Sequence, residues 1–174
     1  MTYRTRTYVA GDWTGDKSAI DQLFKWNNSN YWGLSFTDAH DLHQSNDKSL
    51  NCSIKRSLCQ RMDASKMFVL VVGNRTNAVT AGSCQHCSHY SAYFGSCNLR
   101  HSLSLKSYID YECEKAVRDG LKILVLYNGT SVSKYLCPQS VRNIGVHAPM
   151  KESKYGYALW DYQTVKSAFD RASR

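Results

Sequence analysis

Short apolar runs alternate along this chain with longer segments whose apolar residues recur every three or four positions. The clearest runs are residues 67–72 and 122–127, which stay apolar at successive positions. A strand that is apolar on both faces is covered on both faces, as in the centre of a parallel sheet. Residues 7–11, 33–37 and 146–150 are shorter and are predicted as three further strands.

The segments between these strands carry helical patterns. Ile20, Leu23 and Phe24 form an i, i+3, i+4 stripe behind Asp16, which we expect to cap that helix. Gly120 follows another helical segment and is typical of a helix C-terminus. The further predicted helices are residues 49–62, 108–119, 137–143, which is short, and 162–172.

Strands that alternate with helices predict an α/β fold with a parallel sheet and right-handed crossovers. Five strands indicate a flavodoxin-like, five-stranded parallel sheet in the order 2-1-3-4-5, flanked by helices. At 174 residues we expect one domain over 1–174. Ligands of such sheets bind beyond the carboxyl ends of the strands, here residues 10–13, 37–45 and 73–76.

Composition narrows the class of protein. A hydrophobic fraction of 43% and a charged fraction of 21% are typical of a globular chain. No apolar run approaches the roughly 20 residues of a membrane span, and no signal peptide is evident, so we expect a cytoplasmic protein. The formal net charge is +8, but the basic residues are scattered, which favours a solvated basic surface over a nucleic-acid interface.

Residues 77–104 have neither helical nor strand periodicity and are predicted as a Cys/His-rich loop inserted between the third strand and the next helix. The loop has the residue types and spacing of a structural Cys₃His zinc site, with Cys84, Cys87, Cys97 and His101 as the predicted ligands. Reduced, free cysteines in a polar loop are the alternative. The odd total of seven cysteines argues against a disulfide framework. Competitors for the fourth zinc position are His86 and His89.

A second polar segment follows the predicted strand 33–37. It contains Asp38, His40, Asp41 and His43. A metal site is conceivable there, but contact with a substrate or plain solvation is favoured, because the segment leaves a strand at the ligand-binding edge.

The helix that begins at Tyr108 carries the strongest candidate for catalysis. Tyr108 and Glu112 are i, i+4 neighbours and share one helix face. The pattern alone favours a surface carboxylate that covers a tyrosine.

The order of motifs along the chain changes that interpretation. These motifs are RTYVAGDW at 6–13, FTDA at 36–39, IKRSL at 54–58, VLVVGN at 69–74 and YIDYE at 108–112. In their order and spacing the chain resembles the TIR (Toll/interleukin receptor) domain family, and within it the TIR-like group of Thoeris anti-phage defence.

The resemblance implies an enzyme that cleaves the nicotinamide–ribose bond of NAD, with Glu112 as the catalytic glutamate. A single carboxylate suits this chemistry, because the pyridinium leaves as a neutral group and needs no general acid. Hydrolysis and cyclisation remain open. The expected substrate contacts are Gly11, Asp12, Trp13, Asp38, His40, Asn74 and Tyr108.

The resemblance also implies homo-oligomers and a separate effector that the nucleotide product activates. Three features depart from the common family pattern. Tyr108 stands where many members have tryptophan, which keeps a large aromatic side chain, and the first strand ends in Ala10-Gly11, which affects the expected details of ribose binding. The third is the Cys/His-rich insertion. Two other function classes remain open. One is a non-catalytic TIR adaptor that docks to other proteins, and the other is a basic, zinc-stabilised nucleic-acid binder.

Overall fold

The computed structural model describes residues 4–39 and 50–174. Within these residues the strands are β1 (Arg6–Ala10), β2 (Ser65–Val72), β3 (Tyr90–Ser91), β4 (Ser96–Cys97), β5 (Lys122–Tyr127), β6 (Val146–Pro149), β7 (Lys151–Lys154) and β8 (Tyr157–Trp160). The α-helices are α1 (Lys17–Asn27), α2 (Asn51–Asp63), α3 (Tyr108–Arg118) and α4 (Tyr162–Ser173).

A parallel four-stranded sheet forms the centre of the fold, in the order β1-β2-β5-β6. β2 and β5 are its inner strands, and they are the two continuous apolar runs of the sequence. Burial on both faces explains why these runs do not alternate with polar residues. The predicted α/β class with a parallel sheet is confirmed.

Helices cover both faces of the sheet. Successive residues of a strand point to opposite faces, so Tyr8 packs with α2 and α3, whereas Val9 packs with α1 and α4. Leu58 and Cys113 are among the helix residues of the first layer. Leu23 belongs to the second.

The prediction of a strand at residues 33–37 is wrong. Gly33 and Ser35 adopt positive φ angles of 49° and 58°, which interrupt an extended strand. The amide side chain of Asn27 accepts from the Phe36 N–H at 2.8 Å and donates to the Phe36 carbonyl at 2.9 Å. These contacts use backbone groups that a ladder needs, and the pairing with β1 is limited to an isolated parallel bridge from Thr7 to Asp38. In the part of the chain that the structure describes, the sheet therefore has four strands, and the predicted five are not confirmed.

Two other segments differ from the prediction. Residues 137–143 form turns with i to i+3 hydrogen bonds, such as Val141 N–H to the Pro138 carbonyl at 3.2 Å, and the segment ends at Gly145 (φ 82°). It is too short to nucleate a stable α-helix. Residues 77–104 hold the small antiparallel pair β3–β4 and short 3₁₀ turns, so this segment is more structured than the predicted loop.

Asp16 does precede α1, but its side chain makes no capping hydrogen bond. The buried carboxylate instead accepts from the Asn128 amide at 2.9 Å and ties the start of α1 to the end of β5. All seven cysteines are free. Over the described ranges 4–39 and 50–174, no helix is long and apolar enough to cross a bilayer.

Candidate active site

A cavity of about 290 Å³ opens between α2 and α3, beyond the carboxyl end of β1. This volume lies just below the usual range for small-molecule sites, about 300 to 1,000 Å³. The segment after β1 lines it with Gly11, Asp12, Trp13 and Thr14. The remaining lining residues are Tyr8, Ile54, Leu58, Arg61, Val79, Ala81, Tyr108, Ile109 and Glu112.

Helix periodicity explains which side chains reach the cavity. Ile54, Leu58 and Arg61 lie at i, i+4 and i+7 of α2, on one stripe of that helix. Tyr108 and Glu112 lie at i and i+4 of α3 and also reach the cavity together. The predicted shared face of Tyr108 and Glu112 is therefore confirmed.

The start of α3 is fixed by its own cap. The Ser107 hydroxyl accepts from the Asp110 N–H at 3.1 Å and donates to the Asp110 carboxylate at 2.7 Å. This contact satisfies one of the free N–H groups of the first turn. The cap holds the first two turns of α3, and with them Tyr108 and Glu112, at the cavity.

Glu112 is buried, with 6% of its surface exposed, and it is held from the opposite side of the cavity. The Tyr8 hydroxyl on β1 donates to Glu112 Oε1 at 2.5 Å. Among the described residues, no hydrogen bond engages Oε2. This buried, oriented carboxyl differs from the solvated surface carboxylate that the pattern alone favoured.

Burial raises the pKa of Glu112 from its ordinary value of 4.5 to about 7. The hydrogen bond from Tyr8 and the positive charge of Arg61 act in the opposite direction and keep that pKa from rising further. Burial, with the neighbouring Glu112 charge, raises the pKa of Tyr8 well above its usual value, so Tyr8 stays a neutral donor. A carboxyl whose pKa lies near neutrality inside a cleft is a common feature of functional sites.

Tyr108 forms one wall of the cavity and is fixed at three points. Its hydroxyl donates to Asn51 Oδ1 at 2.9 Å, and its N–H donates to the Ala81 carbonyl at 2.8 Å. Gly82 lies against the ring with a φ of 95°, and a Cβ at this position would stand 2.5 Å from the Tyr108 ring atoms. Only glycine allows this close approach.

The structure brings together some of the predicted substrate contacts and separates others. Gly11, Asp12 and Trp13 lie in the Glu112 cavity with Tyr108. Asn74 lines a different cavity, beside Asp16 and Asn128.

Asp38 is not among the lining residues of the Glu112 cavity. Its carbonyl accepts from the Arg6 guanidinium at 2.8 Å. His40, Asp41 and His43 lie outside the described residues. The proposed alternative of a metal site in that segment therefore stays untested.

Two titratable residues of the cavity, Tyr8 and Arg61, were missed from the sequence. Tyr8 is a polar residue in an otherwise buried strand, on the face that packs with α2 and α3. Arg61 is a basic residue on the apolar stripe of α2. A polar residue at a core position of the pattern was the available signal in both cases.

The predicted zinc ligands Cys84, Cys87, Cys97 and His101 line one small cavity of about 10 Å³. That volume is about the space of one water molecule. Cys52 of α2 lies at the same cavity, with its Sγ 3.2 Å from His101 Nδ1. Within residues 4–39 and 50–174, however, no group of three or more His, Cys, Asp or Glu side chains is placed to hold a metal ion. Zinc stays a prediction that the structure does not support.

Comparison with known proteins adds evidence of family. The family model of the TIR-like domain of Thoeris protein ThsB matches residues 7–81. No curated protein matches the chain. The matched segment runs from β1 to the residues that follow β2, and it contributes Tyr8, Gly11, Asp12, Trp13 and Arg61 to the cavity. Over residues 7–81 the chain is therefore similar to the TIR-like domain of the Thoeris protein ThsB.

Proposed function

We propose that this chain is an NAD-cleaving enzyme of anti-phage defence, with Glu112 as the catalytic carboxylate. The match of residues 7–81 to the TIR-like domain of Thoeris protein ThsB supports the defence role. The observation that carries the catalytic assignment is the buried Glu112 carboxyl, held by Tyr8 at 2.5 Å inside a cavity of substrate scale. A buried carboxyl costs stability, so its presence in a cleft favours a functional role.

The reaction needs little from the protein besides charge and orientation. The C–N bond between nicotinamide and ribose breaks, and its electron pair stays on the nicotinamide, which leaves neutral. The ribose carbon develops oxocarbenium character, which a carboxylate at fixed distance stabilises. Water then adds to that carbon and releases one proton, which gives ADP-ribose. Attack by an adenine nitrogen of the same molecule would give a cyclic product instead.

Tyr8 and Glu112 have different roles in this proposal. The Tyr8 hydroxyl holds Oε1, which fixes the plane of the carboxyl and leaves Oε2 for the ribose or its hydroxyl groups. Trp13, which is 46% exposed and stacks on Phe24 with ring centroids 6.2 Å apart, offers an aromatic face at the mouth of the cavity. The product would then serve as the signal for a separate effector.

The first test measures NAD turnover by chromatography and mass spectrometry for the wild type and Glu112→Gln. Glu114→Gln is the matched control, because it removes a carboxylate from the same helix at a position paired with Lys106 on the surface. Purified protein and lysates of phage-infected cells are both assayed. We expect nicotinamide release by the wild type and Glu114→Gln, and at least about a 100-fold loss in Glu112→Gln.

The product mass separates hydrolysis from cyclisation, because the hydrolysis product contains one more water and is about 18 Da heavier than the cyclic product. Intact NAD in both settings, with phage protection kept by Glu112→Gln, would overturn the proposal. That result would favour the adaptor function, in which Glu112 is dispensable.

A further inference from the structure

Arg61 is a buried cation in the cavity that contains Glu112. It projects from α2, has 8% of its surface exposed, and lines the Glu112 cavity. Its Nε is buried, and no group of the described residues forms a hydrogen bond with it. Throughout the described residues, no acidic side chain forms an ion pair with it.

The other buried cations of the described residues are fully engaged. The ammonium group of Lys115 contacts Asp63 and Asp119, each at 2.6 Å. That of Lys55 donates to the Ser104 hydroxyl at 2.9 Å and to the Ser104 and Lys106 carbonyls at 3.3 and 2.8 Å. Buried charges are normally compensated in this way, because an uncompensated one costs several kcal/mol. Arg61 is therefore the exception that a bound anion would correct.

The geometry of the group indicates which anion fits. A guanidinium presents parallel N–H donors that match the oxygens of a phosphate, and arginine is favoured wherever such two-point recognition occurs. The cavity also contains Glu112, whose pKa the positive charge of Arg61 lowers. The cavity thus offers a carboxyl that suits a cationic ring and a guanidinium that suits an anionic group.

We propose that Arg61 is the phosphate-binding residue of the Glu112 cavity and holds the diphosphate of a dinucleotide substrate. This inference rests on the proposed function for the identity of the substrate, but the anion site itself does not. A purely structural Arg61 that balances the Glu112 charge would affect stability and the titration of Glu112, yet it would leave the affinity for phosphates unchanged.

The test compares Arg61→Met with Arg56→Met. Arg56 lies on the same helix but is exposed and does not line the Glu112 cavity, so the pair controls for the loss of one positive charge from α2. Titration calorimetry measures the affinity for inorganic pyrophosphate and for ADP-ribose, in a Glu112→Gln background so that no turnover interferes. We expect Arg61→Met to weaken binding about 10- to 100-fold and Arg56→Met to leave it unchanged.

Kinetics supply the second readout. With NAD as substrate, Arg61→Met should raise KM about tenfold or more, with a much smaller change in kcat, because the phosphate contact is made before and during reaction alike. Arg61→Lys keeps the charge but not the two-point geometry, so it should recover part of the affinity. If Arg61→Met does not fold, Arg61→Lys takes its place, and a threefold or greater loss of pyrophosphate affinity is the expected result.

The outcomes separate this inference from the proposed function. If the wild type does not cleave NAD but binds pyrophosphate through Arg61, the anion site stands and the enzyme proposal fails. If NAD is cleaved, but the Arg61 variants keep the pyrophosphate affinity and KM of Arg56→Met, the phosphate assignment is wrong and the enzyme proposal stands.

Discussion

At the scale of single residues, the contact between Tyr8 and Glu112 sets the titration of the candidate catalytic group. Burial raises the pKa of Glu112 to about 7, and the Tyr8 hydrogen bond counteracts part of that rise. The ionised carboxylate is the form that stabilises a cationic sugar. Activity should therefore increase with pH as Glu112 loses its proton.

A Tyr8→Phe variant tests this dependence. In the wild type we expect kcat/KM for NAD to rise through an apparent pKa near 7. Loss of the hydroxyl removes a contact that favours the ionised form, so the rising limb should move to higher pH by about one unit or more. Phenylalanine keeps the stacking on Phe68, whose ring centroid lies 6.0 Å away.

Tyr157→Phe is the control for that pH profile, because Tyr157 is 71% exposed on β8. Its profile should match the wild type. If kcat/KM of Tyr8→Phe rises over the same pH range as that of the wild type, Glu112 titrates independently of Tyr8.

At the scale of elements, the segment before α3 positions one wall of the cavity. Gly82 lies against the ring of Tyr108, and Lys55 of α2 holds the carbonyls of Ser104 and Lys106. The cavity wall therefore depends on how residues 81–106 pack on α2, as well as on α3 itself.

Substituting Gly82 by alanine tests this dependence. The new Cβ would meet the Tyr108 ring at 2.5 Å, in a backbone conformation with φ of 95° that disfavours side chains. Tyr108 must then move, and its hydrogen bond to Asn51 should be lost. We expect KM for NAD to rise about tenfold and the free energy of unfolding to fall by about 1–3 kcal/mol.

Gly95→Ala is the matched control, because Gly95 also has a positive φ, of 56°, but a Cβ there meets nothing within 4 Å. It should lose some stability without a change in KM. An unchanged KM in Gly82→Ala would show that Tyr108 does not contact the substrate.

At the scale of the whole molecule, the buried Glu112 makes global stability depend on pH. Its pKa in the folded protein, about 7, lies above its ordinary value of 4.5, so the folded state binds the proton more tightly than the unfolded chain. The contribution of this group to stability is complete below about pH 4.5 and is lost as the pH rises through about 7. Ionising Glu112 thus destabilises the protein in the absence of ligand.

Glu112→Gln removes this penalty. Urea denaturation measures the free energy of unfolding at pH 5 and at pH 8. Relative to the wild type, the free energy of unfolding of the variant should be higher at pH 8 than at pH 5 by roughly 2–3 kcal/mol. Glu114→Gln changes an exposed carboxylate, so its free energy of unfolding should differ from that of the wild type by nearly the same amount at both pH values. A constant difference for Glu112→Gln as well would contradict the assignment of a raised pKa.

Some elements of the fold could be predicted from the sequence and others could not. β2, β5 and α3 follow from local patterns, because apolar runs and helical stripes report burial directly. The segment 33–37 had the composition of a strand, but Gly33, Ser35 and the side chain of Asn27 prevent it from pairing as one. Propensity could not reveal that contact, because the hydrogen bonds of Asn27 depend on how the chain returns past α1.

The sequence by itself determined the α/β order, the shared face of Tyr108 and Glu112, and the resemblance to TIR domains. Only the tertiary structure placed Tyr8 against Glu112 across 104 residues, brought Arg61 into the same cavity, and put Asn74 in another. The physical reason is that periodicity fixes which face of an element a side chain occupies. Which faces meet depends on the crossover connections and on packing of the whole core.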